Sequence, residues 1–234
     1  MEARVGTEAG AITDEAELRA RFEVREEAFT HRDFGVRMLL PRAADALIDE
    51  AEFEADERLP YWADLWPSAR GLTRHLLDRP PSERSIIELG AGVALPSLAL
   101  RGLGTDPLAT DYYEDALRFA EANAVRNGLA PLRTALLDWR HPPAGERWGL
   151  AVAADVVYEQ RNAEALSKLL PRILADGGRM LLADPGRVYF GEFRDRMEEM
   201  DWVVEEIDVR TETSDPVTGA TSTVRIWRVA VEAL

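Results

Sequence analysis

Four short segments of this chain place carboxylates beside residues that could do chemistry with them. In the first, Glu88-Leu89-Gly90-Ala91-Gly92, an acid stands two positions before a pair of glycines. Gly90 and Gly92 let the backbone turn sharply and let a ligand come close, because a Cβ at either position would fill that space. A dinucleotide-binding turn needs a third glycine three positions after the second, and position 95 is Leu95. The Glu88 carboxylate would also repel a pyrophosphate, whereas it suits a cationic ligand such as the amino end of S-adenosylmethionine. Asp111, twenty-three residues further on, lies where a carboxylate takes the hydroxyls of an adenosine ribose. A turn-forming aspartate is the ordinary alternative. Asp138-Trp139 offers an acceptor and a flat apolar face for an adenine amino group and ring. In Ala154-Asp155-Val156-Val157-Tyr158, the acid and the phenol are candidates for handling a nucleophile, although a strand-end aspartate also serves as a helix cap.

These segments need elements that bring them together. Ser85 to Leu89, Leu108 to Asp111, Arg133 to Leu137, Leu150 to Ala154 and Arg179 to Ala183 read as strands. Helices are predicted over Pro96 to Leu103, Glu114 to Asn127, Asn162 to Leu174 and about Gly191 to Met200, with Gly177-Gly178 closing the third. Ser68 is expected to cap an earlier helix through Leu72, Leu76 and Leu77. Trp202 to Thr211 and Thr221 to Val231 read as two longer strands around the turn Asp215 to Gly219. Single helices between strands require parallel pairing with right-handed crossovers, while the short last turn requires antiparallel pairing. The expected fold is therefore an α/β, Rossmann-like, doubly wound seven-stranded sheet with an antiparallel last strand. In such a sheet ligands sit beyond the carboxyl ends of the strands, which is where all four segments fall.

The domain is expected to span residues 60–234, after an appendage over 1–59. Residues 1–12 read as a frayed end, and Asp14 with Glu17 as a capping box opening a short helix. Phe22 to Phe29 and Phe34 to Leu40 follow as a hairpin, and Pro41 to Ala51 as a helix. Tyr61, Trp62 and Trp66 come next, a cluster whose ordinary role is packing.

Composition removes other classes. With no cysteine there is no disulfide, thiolate metal site or thiol nucleophile, which fits a soluble cytoplasmic protein. The formal net charge of −15 and the lack of a basic stripe argue against nucleic acid as a partner. No long apolar run suggests a membrane span, and Met1-Glu2-Ala3-Arg4 leads into acidic sequence, unlike an export signal. His31, His75 and His141 are scattered without ligand spacing, so no metal is expected and surface or turn roles suffice. Of the basic residues, Lys168 alone is a lysine. Nothing in the sequence asks for more than a monomer.

Pro60-Tyr61-Trp62-Ala63-Asp64-Leu65-Trp66-Pro67, Glu88 to Gly92, Leu137-Asp138-Trp139, Ala154 to Tyr158 and Asp184-Pro185-Gly186-Arg187 occur in the order seen in seven-β-strand protein lysine methyltransferases. Over about residues 60 to 230 the chain resembles methyltransferase family 16. It is most similar to the branch that methylates the electron transfer flavoprotein β-subunit and to bacterial predicted nicotinamide N-methylases. The resemblance implies S-adenosylmethionine as cofactor, with contacts at Trp66, Gly90, Ala91, Gly92, Asp111, Trp139 and Ala154. It implies a catalytic region at Asp155 and Tyr158. Asp184 and Arg187, after the fifth strand, are further candidates to line the cleft, with a structural turn through Pro185-Gly186 as an equally good account. The implied acceptor is a protein with an accessible lysine. A small amine or pyridine acceptor and a non-catalytic cofactor-binding module are the alternatives.

Overall fold

The computed structural model describes residues 15–42, 60–142, 145–215 and 217–231. Helix α1 (Glu15–Arg21) leads into a hairpin of β1 (Val24–His31) and β2 (Phe34–Pro41). A 3₁₀ turn at Tyr61–Ala63 precedes α2 (Pro67–Asp78), β3 (Ile86–Leu89), α3 (Leu95–Gly102), β4 (Leu108–Asp111), α4 (Glu114–Arg126) and β5 (Arg133–Leu136). The chain continues through β6 (Trp148–Ala154), α5 (Gln160–Ile173), β7 (Leu174–Asp184), α6 (Phe190–Glu198), β8 (Trp202–Asp215) and β9 (Ala220–Val231).

The main sheet runs β5-β4-β3-β6-β7-β9-β8. Strands β3 to β7 pair in parallel, and β9 is antiparallel to both of its neighbours. The seven-stranded sheet with its antiparallel last strand is thus the one read from the sequence. Its turn is set by Asp215, whose Oδ1 accepts the Val217 N–H at 2.8 Å, and by Gly219 at φ 73°. Strand order reverses between β3 and β6, so their carboxyl ends diverge and open a crevice.

Both sheet faces are covered. Along β6, Leu150 and Val152 pack towards Leu72 and Leu76 of α2, while Ala151 and Ala153 pack towards Leu166, Leu169 and Leu170 of α5. That two-residue alternation meets the three- and four-residue spacing of the helices, as a doubly covered strand requires. The hairpin docks on α4 through Phe29, Met38 and Leu39 against Phe119 and Ala120. Asn123 then works as a strand edge: its Oδ1 accepts the Leu39 N–H at 2.6 Å, and its Nδ2 donates to the Leu39 carbonyl at 3.0 Å. Asn127, one helical turn on, accepts from the Arg37 N–H at 2.8 Å and donates back to its carbonyl at 3.2 Å.

Several local readings are corrected. Pro67 occupies the first turn of α2, and Ser68 caps nothing; its hydroxyl turns to Asp155. Gly177-Gly178 lies inside β7, because α5 already ends at Ile173. A Cβ on Gly178 would sit 2.8 Å from the Ala175 carbonyl oxygen and 2.9 Å from that of Trp148, so close backbone approach explains the residue. Pro41 ends β2 opposite Val24 and does not begin a helix. Asp14 of the expected capping box, the frayed end and the rest of the helix expected to Ala51 lie outside the described residues. Among the described residues, no helix is long and apolar enough to cross a membrane.

Candidate active site

A cleft open to solvent lies at the carboxyl ends of β3, β4 and β6. Trp66, Glu88, Gly90, Ala91, Gly92, Asp111, Asp138, Trp139, Ala154, Asp155 and Tyr158 all line it. The topology therefore brings these residues together, although they differ in the bonds they already make.

At the end of β3 the chain bends through Gly90 at φ 65° and Gly92 at φ 53°. A Cβ on Gly92 would meet the Trp62 carbonyl oxygen at 3.1 Å, and one on Gly90 the Val156 side chain at 3.0 Å. The bend is a cradle that larger residues would fill, which fits a ligand held close to backbone. Asp111 braces it: Oδ2 accepts the Gly92 N–H at 2.8 Å and Oδ1 the Tyr113 N–H at 3.0 Å. Glu88 is more enclosed than a simple surface acid. Its Oε2 accepts the Ser97 N–H of α3 at 2.9 Å, and burial pushes its carboxyl up to about 8.

On the β5 side, Trp139 lies beside the Gly90 bend, its Cζ2 3.6 Å from where a Gly90 Cβ would stand. Asp138, two residues past the end of β5, is held by Arg140 through Nε at 2.8 Å and Nη2 at 2.7 Å, and by His141 at 3.2 Å. Burial alone would raise its pKa, but these bonds outweigh it and keep the carboxyl well below the usual range.

On the β6 side, Asp155 has a left-handed backbone at φ 59° and is 6% exposed. Its Oδ1 accepts from Arg187 Nε at 2.6 Å, and its Oδ2 lies 3.4 Å from the Ser68 hydroxyl. The Tyr158 ring meets Tyr61 edge-to-face with centroids 5.2 Å apart, and Tyr61 meets Trp66 in the same way at 6.0 Å. Trp66 is fixed by its indole N–H, which donates to the Tyr61 carbonyl at 2.8 Å. The aromatic cluster before α2 is thus a cleft wall as well as packing.

Asp184 and Arg187 are absent from the lining, and of the two accounts open in the sequence the structural turn is the one found, with Asp184 Oδ1 accepting the Gly186 and Arg187 N–H groups; Arg187 reaches the site only through Asp155. His75 is buried against Asp208, its Nδ1 2.8 Å from Oδ2, so a surface role does not describe it. Tyr112, Tyr113, Arg161 and Asn162 also line the cleft and were not legible as site residues. Position next to Asp111 at a strand end could have signalled the two tyrosines. Arg161 and Asn162 enter through the start of α5, where no sequence signal distinguishes them.

The same fold is found in methyltransferases of solved structure. Magnesium protoporphyrin IX methyltransferase from Synechocystis PCC 6803, with bound SAM, superposes with TM-score 0.53 at 14% identity, covering 70% of this chain and 78% of that one. The fold is that of class I methyltransferases. A family model described as lysine methyltransferase matches residues 61–198, and the chain belongs to that family. It is 33% identical over 135 residues to the electron transfer flavoprotein beta subunit lysine methyltransferase of Rattus norvegicus, covering 56% of this chain and 52% of that protein. It is 31% identical over 133 residues to the protein N-terminal and lysine N-methyltransferase EFM7 of Cryptococcus neoformans, covering 49% and 44%. The match thus spans about half the length of these relatives.

Proposed function

We propose that this protein is an S-adenosylmethionine-dependent N-methyltransferase whose acceptor is a lysine of another protein. The observation that carries the reading is the convergence of the glycine cradle, the ribose-side acid and the Asp155–Tyr158 pair in one cleft of a lysine methyltransferase family member. When bound, S-adenosylmethionine supplies a methyl group on a positively charged sulfur. Gly90, Ala91 and Gly92 hold it close to the backbone, Asp111 takes the ribose, and Trp139 offers the adenine a flat face. Asp138 stands at the same end, and to take the adenine amino group its carboxylate exchanges one of the bonds it makes to Arg140 and His141. Ala154 leads the chain to the reacting end. Glu88 braces α3 from below and meets the cationic amino end once it gives up its proton.

At the reacting end, Asp155 attracts an incoming ammonium, and the faces of Tyr61, Trp66 and Tyr158 add to that attraction. The Tyr158 hydroxyl binds the amine by a hydrogen bond. A partly dry wall also favours the neutral amine, the form with a free lone pair, although a lysine in water holds its proton up to about pH 10.4. Alignment of this kind contributes about 7 to 11 kcal/mol of barrier reduction without a metal.

The segment from Pro60 to Trp66 walls one side of the cleft, which favours a second reading, a small amine or pyridine acceptor. The boundary near residue 60 fits an appendage followed by a catalytic domain, and a cytoplasmic location fits either acceptor. Tritium-labelled S-adenosylmethionine added with the protein to a lysate lacking it separates the readings. Label in protein that hydrolyses to methyl-lysine supports the first, and label in a small molecule the second. Autolabelling is confined to Lys168, which Lys168→Arg removes.

A further inference from the structure

Arg187 lies outside the cleft yet reaches the acid inside it. Asp155 leaves β6 in a left-handed turn, and its N–H donates to the Ala183 carbonyl of β7 at 2.9 Å, so the carboxylate is carried by two neighbouring strand ends. On β7, Asp184 Oδ1 accepts the N–H groups of Gly186 at 2.6 Å and Arg187 at 2.8 Å, fixing where the arginine leaves the backbone. From there Nε donates to Asp155 Oδ1 at 2.6 Å, between a side chain 36% exposed and one 4% exposed. The guanidinium carbon lies 5.5 Å from the centroid of Trp66. One oxygen of Asp155 is therefore pinned, and the other lies towards Ser68 at a loose 3.4 Å.

We propose that Arg187 is a positioning residue for transfer to the amine. It pins Oδ1 of Asp155 so that Oδ2 is turned to the acceptor, and it ties this carboxylate to the aromatic wall at Trp66. The proposal rests on the acceptor reading above and extends it to a residue that touches no substrate. The planar arginine fork suits both tasks at once: it donates along its edge while its face covers an indole. A lysine ammonium is a point charge on a flexible stem and does only the first.

Crystal structures of the wild type, Arg187→Met and Arg187→Lys with S-adenosylhomocysteine test this directly, together with kcat and acceptor KM. Methionine keeps an apolar stem beside Trp66 and removes every donor. In Arg187→Met the Asp155 carboxylate should leave its wild-type rotamer. Its kcat should fall about tenfold or more, with acceptor KM and S-adenosylhomocysteine affinity within about threefold. Arg187→Lys, which keeps a donor for Asp155, should hold that carboxylate in place and recover part of kcat; if the methionine variant fails to fold, Arg187→Leu, checked by its melting curve, carries the test. Asp155 unmoved in the methionine or leucine variant overturns the proposal, even where activity falls, and so does an unchanged kcat. If the wild type methylates no lysine, the acceptor reading falls and the Asp155 rotamer alone decides the role of Arg187.

Discussion

Glu88 shows how far surroundings alter a residue that looks simple in the sequence. It is 2% exposed, and burial raises its carboxyl from the ordinary 4.5 to about 8. Between those values the folded protein keeps a proton that the unfolded chain releases, so stability should fall as pH rises through that window. Glu88→Gln retains an oxygen for the Ser97 N–H and removes the titration. In the absence of ligand it should melt higher than wild type by about 4 °C or more at pH 8, with little difference near pH 4.5. Melting curves across pH check this; equal curves at every pH would contradict it. Asp155→Ala, in contrast, should abolish methyl transfer while leaving S-adenosylhomocysteine affinity within about threefold. Full activity in that variant would remove Asp155 from the reacting end. The positions of Glu88 and Asp155 were legible because each ends a buried strand beside a distinctive dipeptide or glycine pair. Their partners were not: Ser97 stands nine residues beyond Glu88 on a helix, and Arg187 thirty-two beyond Asp155 on another strand end.

The elements were legible where one periodicity ruled. The two-residue alternation of β6 and the helical spacing of α5 could each be read because both sides of the sheet demand apolar residues. Where tertiary contact decides, local signals misled. Gly177-Gly178 has the look of a helix stop, but the requirement is set by the carbonyl oxygens of Ala175 and Trp148. Ser68 has the look of a cap, but Pro67 already begins α2 and the hydroxyl serves Asp155. The docking of the hairpin on α4 is likewise invisible in sequence, since it depends on Asn123 satisfying both backbone groups of Leu39. Asn123→Ala would leave that N–H and carbonyl buried without partners, at about 1–3 kcal/mol for each. Urea denaturation should show a loss of about 2–6 kcal/mol, and a loss below the error of the extrapolation would mean that the hairpin docks without help from the Asn123 bonds.

At the scale of the molecule, the net charge of −15 does not describe the cleft. Asp64, Asp138 and Asp155 of its lining, and Glu159 next to Tyr158, are paired with Arg25, Arg140, Arg187 and Arg161. The surplus acid acts from further away, as a field that draws a basic acceptor and weakens with salt. For a lysine-bearing protein acceptor, kcat/KM should fall severalfold between about 50 and 500 mM NaCl, whereas a neutral pyridine acceptor should show little change. Steady-state kinetics over that salt range distinguishes them. The fold and the strand-end residues of the cleft could be read from sequence because they follow from strand ends and glycines. The rest of its lining could not, because Tyr61, Arg161 and Asn162 converge with them only in three dimensions.

All of this requires that the cradle after β3 bind a sulfonium nucleoside. Titration calorimetry with S-adenosylhomocysteine should give one saturable site, and Gly92→Ala, with its Cβ 3.1 Å from the Trp62 carbonyl oxygen, should bind less tightly. No heat from S-adenosylhomocysteine, with clear uptake of a nicotinamide or flavin nucleotide, would contradict the account.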